Sequence, residues 1–242
     1  MTIITSRLKK EVKVLAVLKN RKKKTIVEFF KSIPKNLRKT ITSVCSDLYD
    51  GFINGAKEVL GENIRIVVDR FHVAKLYRNV VDTVRKAEMK RLKKILSEEK
   101  YKKLKGLMWV LRTSKAKLSE RYKAVLKNAF KHSPELKKVY EFSENLTKIF
   151  NTETSRNGGI RRLKNWITKV QKSGVKLFDT FIGTLEKRMK EIANYFVSRE
   201  NSGFVEGLNN RIKVLKRRAY GIVDGIHLFQ RICLDLNRKN AQ

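Results

Sequence analysis

Three carboxylates and one row of cations have the types and spacing to do chemistry. Glu206 falls in the first turn of a helix whose Val205, Leu208, Ile212 and Leu215 recur at steps of three and four, one apolar stripe. Asn201 or Ser202 can cap its start. Asn210, Lys213 and Arg217 follow Glu206 on one side, and Lys216 and Arg218 add cations to the same helix. A carboxylate at the positive end of the helix dipole could hold a metal ion, while the face below it meets a phosphate backbone. The same pattern also suits a solvated helix whose acid merely complements the dipole, and the helix alone leaves both readings open.

Asp47 and Asp69 each follow a short β-branched run, Ile41 to Ser46 and Ile64 to Val68. Functional groups of open α/β sheets collect at such carboxyl ends. Paired carboxylates suit a hard cation such as Mg²⁺, which takes oxygen ligands and keeps several waters. Two such ions about 3.5–4 Å apart activate the attacking oxygen and stabilise the leaving one in phosphoryl transfer. Asp47 fits equally as an N-cap of the helix that follows. Asp69 and His72 are three apart, so one helical turn would align them. They could orient a site or fasten the next helix to the core; alternatively Asp69 caps that helix and His72 is half-buried. Zinc is excluded by the lack of further Cys or His nearby.

The elements that must position these residues begin as strand, strand, helix, strand, helix, strand, an α/β opening. The first two strands, Thr2 to Thr5 and Val12 to Leu18, are read as a hairpin turning through Ser6 to Lys10. A helix from Lys24 to Ser32 stops before Pro34, and one from Tyr49 to Leu60 stops at Gly61. From Ala74 the pattern is helical throughout. Helices are expected at Ala74 to Leu96 (burying Leu76, Val80, Val81, Val84, Ala87 and Leu92), Tyr101 to Leu111, Leu118 to Phe130 and Glu135 to Phe150. Asn151 to Gly159 reads as a loop, then helices resume over Ile160 to Gln171, Lys176 to Val197 and Ile226 to Leu236. This divides the chain into residues 1–73, an all-helical insertion at 74–197, and 198–242 carrying Glu206.

The 242 residues are 41% hydrophobic, a globular composition, and 57 Lys+Arg against 23 Asp+Glu give a net charge of +34. Charge on that scale self-repels unless a polyanion neutralises it, which favours nucleic acid as partner. Lys-rich thermostable proteins balance their cations with acids, and this chain does not. Membrane spans are excluded because no apolar run nears the roughly 18 residues required. Met1 to Thr5 is too short for a signal-peptide core, so the cytoplasm is the expected location. Cys45 and Cys233 are read as small core residues in a reducing compartment. Trp166, among Arg161, Arg162, Lys164 and Lys169, could stack on a base but is expected in the core. The runs at Lys19 to Lys24 and Lys90 to Lys94 read as solvated faces.

Cys45 to Tyr49, then Ile66 to Val73, then Val205-Glu206-Gly207-Leu208-Asn209-Asn210 with Ile212-Lys213 and Lys216 to Gly221, resemble DDE transposases of insertion sequences, nearest the ISL-three type. The resemblance covers nearly the whole chain. It implies an RNase H-like core interrupted by a helical insertion, cutting and rejoining DNA with two Mg²⁺ or Mn²⁺ ions. By it Asp47 is the second acid of the triad and Glu206 the third. Asp69 and His72 match an Asp-x-x-His signature between them. The partners implied are insertion-sequence ends and target DNA, with a homo-oligomer as the active form.

Two departures stand out. Ser202-Gly203 replaces the usual Asn-Gly, and the strand bearing the first acid belongs upstream of Thr2. The resemblance therefore leads us to expect an incomplete core with its first strand missing. Such a chain has unpaired strand edges, and its activity is reduced or absent. The competing class is a non-catalytic nucleic-acid-binding protein or regulatory fragment, distinguished by metal dependence tied to Asp47 and Glu206.

Overall fold

A computed structural model describes residues 1–8, 11–113, 117–199, 203–218 and 224–237, with the side chains at 204–206, 209, 216, 236 and 237 outside that description. The described residues are mostly helical with two small sheets, an α/β composition. They divide into two compact units, residues 1–69 with 200–242, and residues 70–199.

In the first unit, β1 (Thr2–Leu8) and β2 (Glu11–Leu18) form an antiparallel hairpin running from Thr2↔Leu18 to Leu8↔Glu11. Ser6, Arg7 and Leu8, read from sequence as turn, are in the strand, because cross-strand bonds to Lys13, Val12 and Glu11 outweigh their polar composition. The register shifts between Ile4 and Thr5, a bulge at which Leu15 is skipped and left exposed. The second sheet pairs β3 (Ser43–Ser46) with β4 (Arg65–Val68) in parallel, Ser43↔Arg65 through Ser46↔Val68. Between the hairpin and β3 lie α1 (Lys23–Ser32), ending before Pro34, and the short α2 (Lys35–Arg38). Helix α3 (Asp50–Leu60) crosses from β3 to β4 and packs on α1. A Cβ on Gly55 would meet Ile26 Cγ2 at 3.1 Å, so glycine permits that close approach. Gly61, with φ 95°, ends α3 in a conformation other residues resist. Ile53, Ala56, Ile66, Val67 and Val68 are buried around this crossover.

The second unit begins with α4 (Arg70–Ile95), which buries Val73, Ala74, Tyr77, Val81, Val84, Glu88 and Leu92. Leu76 and Ala87, assigned inward from their apolar character, are exposed. Tyr77 takes an inward place by reaching the Thr147 hydroxyl at 3.1 Å, and Glu88 by a two-point bond to Arg91 at 3.0 and 2.7 Å. The expected helix from Tyr101 to Leu111 is two, α5 (Glu98–Lys102) and α6 (Leu107–Arg112), broken at Gly106 with φ 90°. Helix α7 (Glu120–His132) follows. Ser133 then caps α8 (Pro134–Asn151), its hydroxyl accepting from Leu136 N–H at 3.1 Å with Pro134 in the first turn. Helix α9 (Arg156–Lys172) starts inside the segment read as loop. Ser155 accepts from Gly158 N–H, and Gly159 is buried where the Phe196 ring leaves no room for a Cβ. The Gly pair is thus a packing device within the first helical turn. A single 3-10 turn (Lys176–Phe178) leads into α10 (Asp179–Lys187), α11 (Met189–Ala193) and α12 (Tyr195–Ser198), three pieces where one helix was expected. Arg70 and Arg199, the ends of this unit, both donate to Asn151, and Arg70 also reaches the Tyr195 hydroxyl at 3.1 Å.

The chain closes with α13 (Gly203–Arg218) and α14 (Gly225–Asn237) in the first unit. Cys45 is exposed on β3 and Cys233 half-buried on α14, and neither forms a disulfide; neither is the enclosed core residue expected. No described helix is long and apolar enough to cross a membrane.

Candidate functional site

The parallel register fixes the first feature. Ser46 lies opposite Val68, and the Asp69 N–H donates to the Ser46 carbonyl at 2.8 Å, continuing the ladder by one residue. Asp47 and Asp69 therefore leave the same carboxyl edge on neighbouring strands, whose backbones run about 5 Å apart. Asp69 is buried, at 1% exposure, and Asp47 is half-buried.

Asp47 is held by a turn of its own. Its Oδ1 accepts from the Tyr49 N–H at 2.9 Å, an Asx turn two residues long. Tyr49, extended at φ −74° and ψ 120°, occupies the N-cap position of α3 without a side-chain bond, so Asp47 is not that helix's cap. Asp50 supplies the acid in the first turn of α3. The Tyr49 ring lies over Gly51, meets Phe52 edge-on at 5.3 Å, and carries the Arg21 guanidinium 4.8 Å from its centroid. Arg21 belongs to a run read as a solvated face. Nothing at sequence level marks it as the cation beside the Asp47 turn.

The Asp47–Tyr49 bond uses one carboxylate oxygen, and no ion pair among the described residues involves Asp47. A half-buried carboxylate with one fixed oxygen and no cation partner fits one ligand of a hard divalent ion. Among the described residues, no group of three or more His, Cys, Asp or Glu side chains is gathered to hold a metal. The Glu206 side chain lies outside the described ones.

Glu206 itself is on α13, whose Leu208, Ile212 and Leu215 are buried with Leu228 and Ile232 of α14 against Ile3, Val14 and Val17 of the hairpin. The fourth stripe residue, Val205, and the proposed caps Asn201 and Ser202 lie outside the description. Arg211 fastens α13 to α14, 2.7 Å from the Asp235 carboxylate and donating to its carbonyl at 2.7 Å. Asn210, Lys213, Arg217 and Arg218 are exposed; the Lys216 side chain is outside the description. The helix thus turns three apolar residues onto the hairpin, ties Arg211 to α14, and leaves Asn210, Lys213, Arg217 and Arg218 in solvent. His72, on α4, is exposed where half burial was the alternative expectation. Trp166 is in the core, at 3% exposure.

Comparison with known proteins gives the class first. A family model described as a transposase matches residues 1–232, nearly the whole chain. The chain belongs to that family, the transposases of ISL3 (ISL-three) type. It is 28% identical over 221 residues to the transposase for insertion sequence element IS1001 of Bordetella parapertussis, covering 90% of this chain and 53% of that protein. It is 23% identical over 218 residues to the transposase for insertion sequence element IS1557 of Mycobacterium tuberculosis, covering 82% and 48% respectively. The chain therefore spans about half the length of the curated relatives it matches. No solved structure matches.

Proposed function

We propose that Asp47 and Glu206 are metal-holding acids of a DDE transposase, on an RNase H-like core that residues 74–197 interrupt as an insertion. The observation that carries this reading is Asp47 at the carboxyl edge of β3, its charge matched by no cation among the described residues, in a chain of this family. When bound, Mg²⁺ or Mn²⁺, two ions in the full site, supplies Lewis-acid stabilisation of the phosphoryl group being transferred. The chain's own residues do the positioning. The Tyr49 amide fixes the Asp47 carboxylate, and the buried Asp69 lines the same strand edge with His72 beyond it in sequence. Asn210, Lys213, Lys216, Arg217 and Arg218 take DNA phosphates on the helix that carries Glu206, Arg offering the fork that phosphate oxygens match. The substrates are insertion-sequence ends and target DNA, and the active form is a homo-oligomer.

A strand-cleavage and strand-transfer assay on end-bearing duplex DNA tests this. Asp47→Asn and Glu206→Gln each remove roughly a hundredfold or more of the Mg²⁺- or Mn²⁺-dependent rate, the size expected when a charge-stabilising group is lost. DNA affinity stays within about twofold in both, since neither change removes a cation. Metal-dependent cleavage that survives both substitutions contradicts the assignment and leaves a DNA-binding protein without these catalytic acids.

A further inference from the structure

Helix α9 differs from the other long helices of its unit in having no acid of its own. Those helices carry acids, and several meet cations nearby: Asp82 with Arg85 and Lys86, Glu88 with Arg91, Glu120 with Lys123. The 17 residues of α9 contain no Asp or Glu. Arg161, Arg162, Lys164, Lys169 and Lys172 are all exposed, and no ion pair among the described residues involves them.

Their arrangement is ordered by what is buried behind them. Gly159, Leu163, Trp166, Ile167 and Val170 face inward. The Trp166 Nε1–H donates to the Phe142 carbonyl at 3.0 Å, and the indole meets Phe178 and Phe181 edge-on at 5.4 and 5.8 Å. At 100° per residue the cations therefore spread over the opposite face, with Asn165 and Thr168 between them. From Arg161 to Lys172 this face runs about 16 Å along the axis, several phosphate spacings of a duplex. An open depression lined by Asn157, Ile160, Arg161, Lys164 and Asn165 lies at its start. The single aromatic of the helix is buried, so the face offers no platform for stacking an unpaired base. It offers cations, amides and a hydroxyl, the groups that contact phosphates and sugars without reading sequence.

We propose that the outer face of α9 is a second DNA contact, separate from α13, which takes the sugar–phosphate backbone of double-stranded DNA. The identity of the polyanion rests on the transposase reading; the surface rests on α9 itself. The packed Trp166 anchors the helix that carries these cations.

The test is duplex-DNA binding by the full chain in EDTA as a function of salt, which requires neither metal nor catalysis. Arg161→Gln, Lys164→Gln, Lys169→Gln and Lys172→Gln are combined in one variant. A control with the same charge change carries Lys90→Gln, Lys93→Gln, Lys94→Gln and Lys127→Gln, all exposed positions. Thermal melts check that both variants fold. The α9 variant is expected to lose about three to four units of log–log salt slope, about 0.9 per phosphate contact, and at least tenfold in affinity near 0.1 M salt. The control should lose less than one unit. An unchanged slope in the α9 variant, an equal loss in the control, or a loss for double-stranded RNA but not for DNA overturns the proposal. Because the cleavage assay on Asp47 and Glu206 has a different readout, either idea can fail while the other stands.

Discussion

In the helical unit several acids are held by cations, whereas at the strand edge of the first unit Asp47 is held by backbone. Glu88 accepts two bonds from Arg91, which also donates to the His132 carbonyl at 2.8 Å. Asp82 gathers Arg85 and Lys86, and Glu191 lies 3.5 Å from Arg188. Each such carboxylate is neutralised where it stands and serves packing. Asp47 instead receives one amide N–H, which orients it without cancelling its charge. On the proposed reading, the difference separates structural acids from one that would take a cation outside the chain. A salt-bridged carboxylate would have to give up its partner to bind a metal, and Asp47 would not.

The comparison can be pressed from the strongest effect downward. Trp166→Ala should cost the helical unit about 3–5 kcal/mol in chemical denaturation, the usual range for emptying a buried aromatic site. A loss below about 1 kcal/mol would show that α9 is not anchored there. Glu88→Gln should cost about 2 kcal/mol, since it discharges hydrogen bonds between charged groups at a buried position. The pH dependence sharpens this. The Arg91 bond, against the opposing cost of burial, holds the Glu88 carboxyl below its ordinary 4.5. The folded form thus binds its proton less readily than the unfolded one. The resulting stability is fully present above pH 4.5 and is lost as pH falls through the lowered value. Melts of Glu88→Gln below pH 4.5 should show a flatter slope than the parent chain; parallel curves would contradict the pairing.

Asp47 should respond in the opposite manner. Asp47→Ala removes the acceptor of the Asx turn and should cost about 1 kcal/mol, while Asp47→Asn keeps an oxygen there and should cost less than about 0.5 kcal/mol. If Asn proved as costly as Ala, the carboxylate charge would be serving the fold. Tyr140→Phe has the smallest expected effect. Burial pushes the Tyr140 phenol up to about 12, and its hydroxyl is enclosed without a hydrogen-bond partner among the described residues. Removing that oxygen should be neutral or stabilise by up to about 1 kcal/mol in the same denaturation experiment.

Local signals in the sequence carried well where one residue's chemistry decides the outcome. Pro34 ends α1, Gly61 ends α3, Ser133-Pro134 opens α8, and the apolar spacing of α13 selects Leu208, Ile212 and Leu215 for burial. Signals that depend on a distant partner did not carry. The inward face of α4 turns on Tyr77 finding Thr147, and on Glu88 being held by Arg91, which itself reaches the distant His132 carbonyl, and counting apolar residues misses both. The Gly158-Gly159 pair reads as a loop until Phe196 is placed against it. At the candidate site, the strand-end positions of Asp47 and Asp69 were legible. Their shared edge was not, because parallel register is set by packing between strands far apart in sequence. Arg21 was hidden among lysines and becomes distinctive through the Tyr49 ring alone.

The central claim is that Asp47 and Glu206 share one divalent ion, and a double-mutant cycle on Mn²⁺ affinity addresses it most directly. Calorimetric titrations of the parent chain, Asp47→Asn, Glu206→Gln and the double variant give four dissociation constants. Two ligands of one ion are coupled, so each single change should weaken binding about tenfold or more, with the double variant far short of the product of the two losses. Losses that simply multiply, or Mn²⁺ binding untouched by either change, would place the two acids at separate sites.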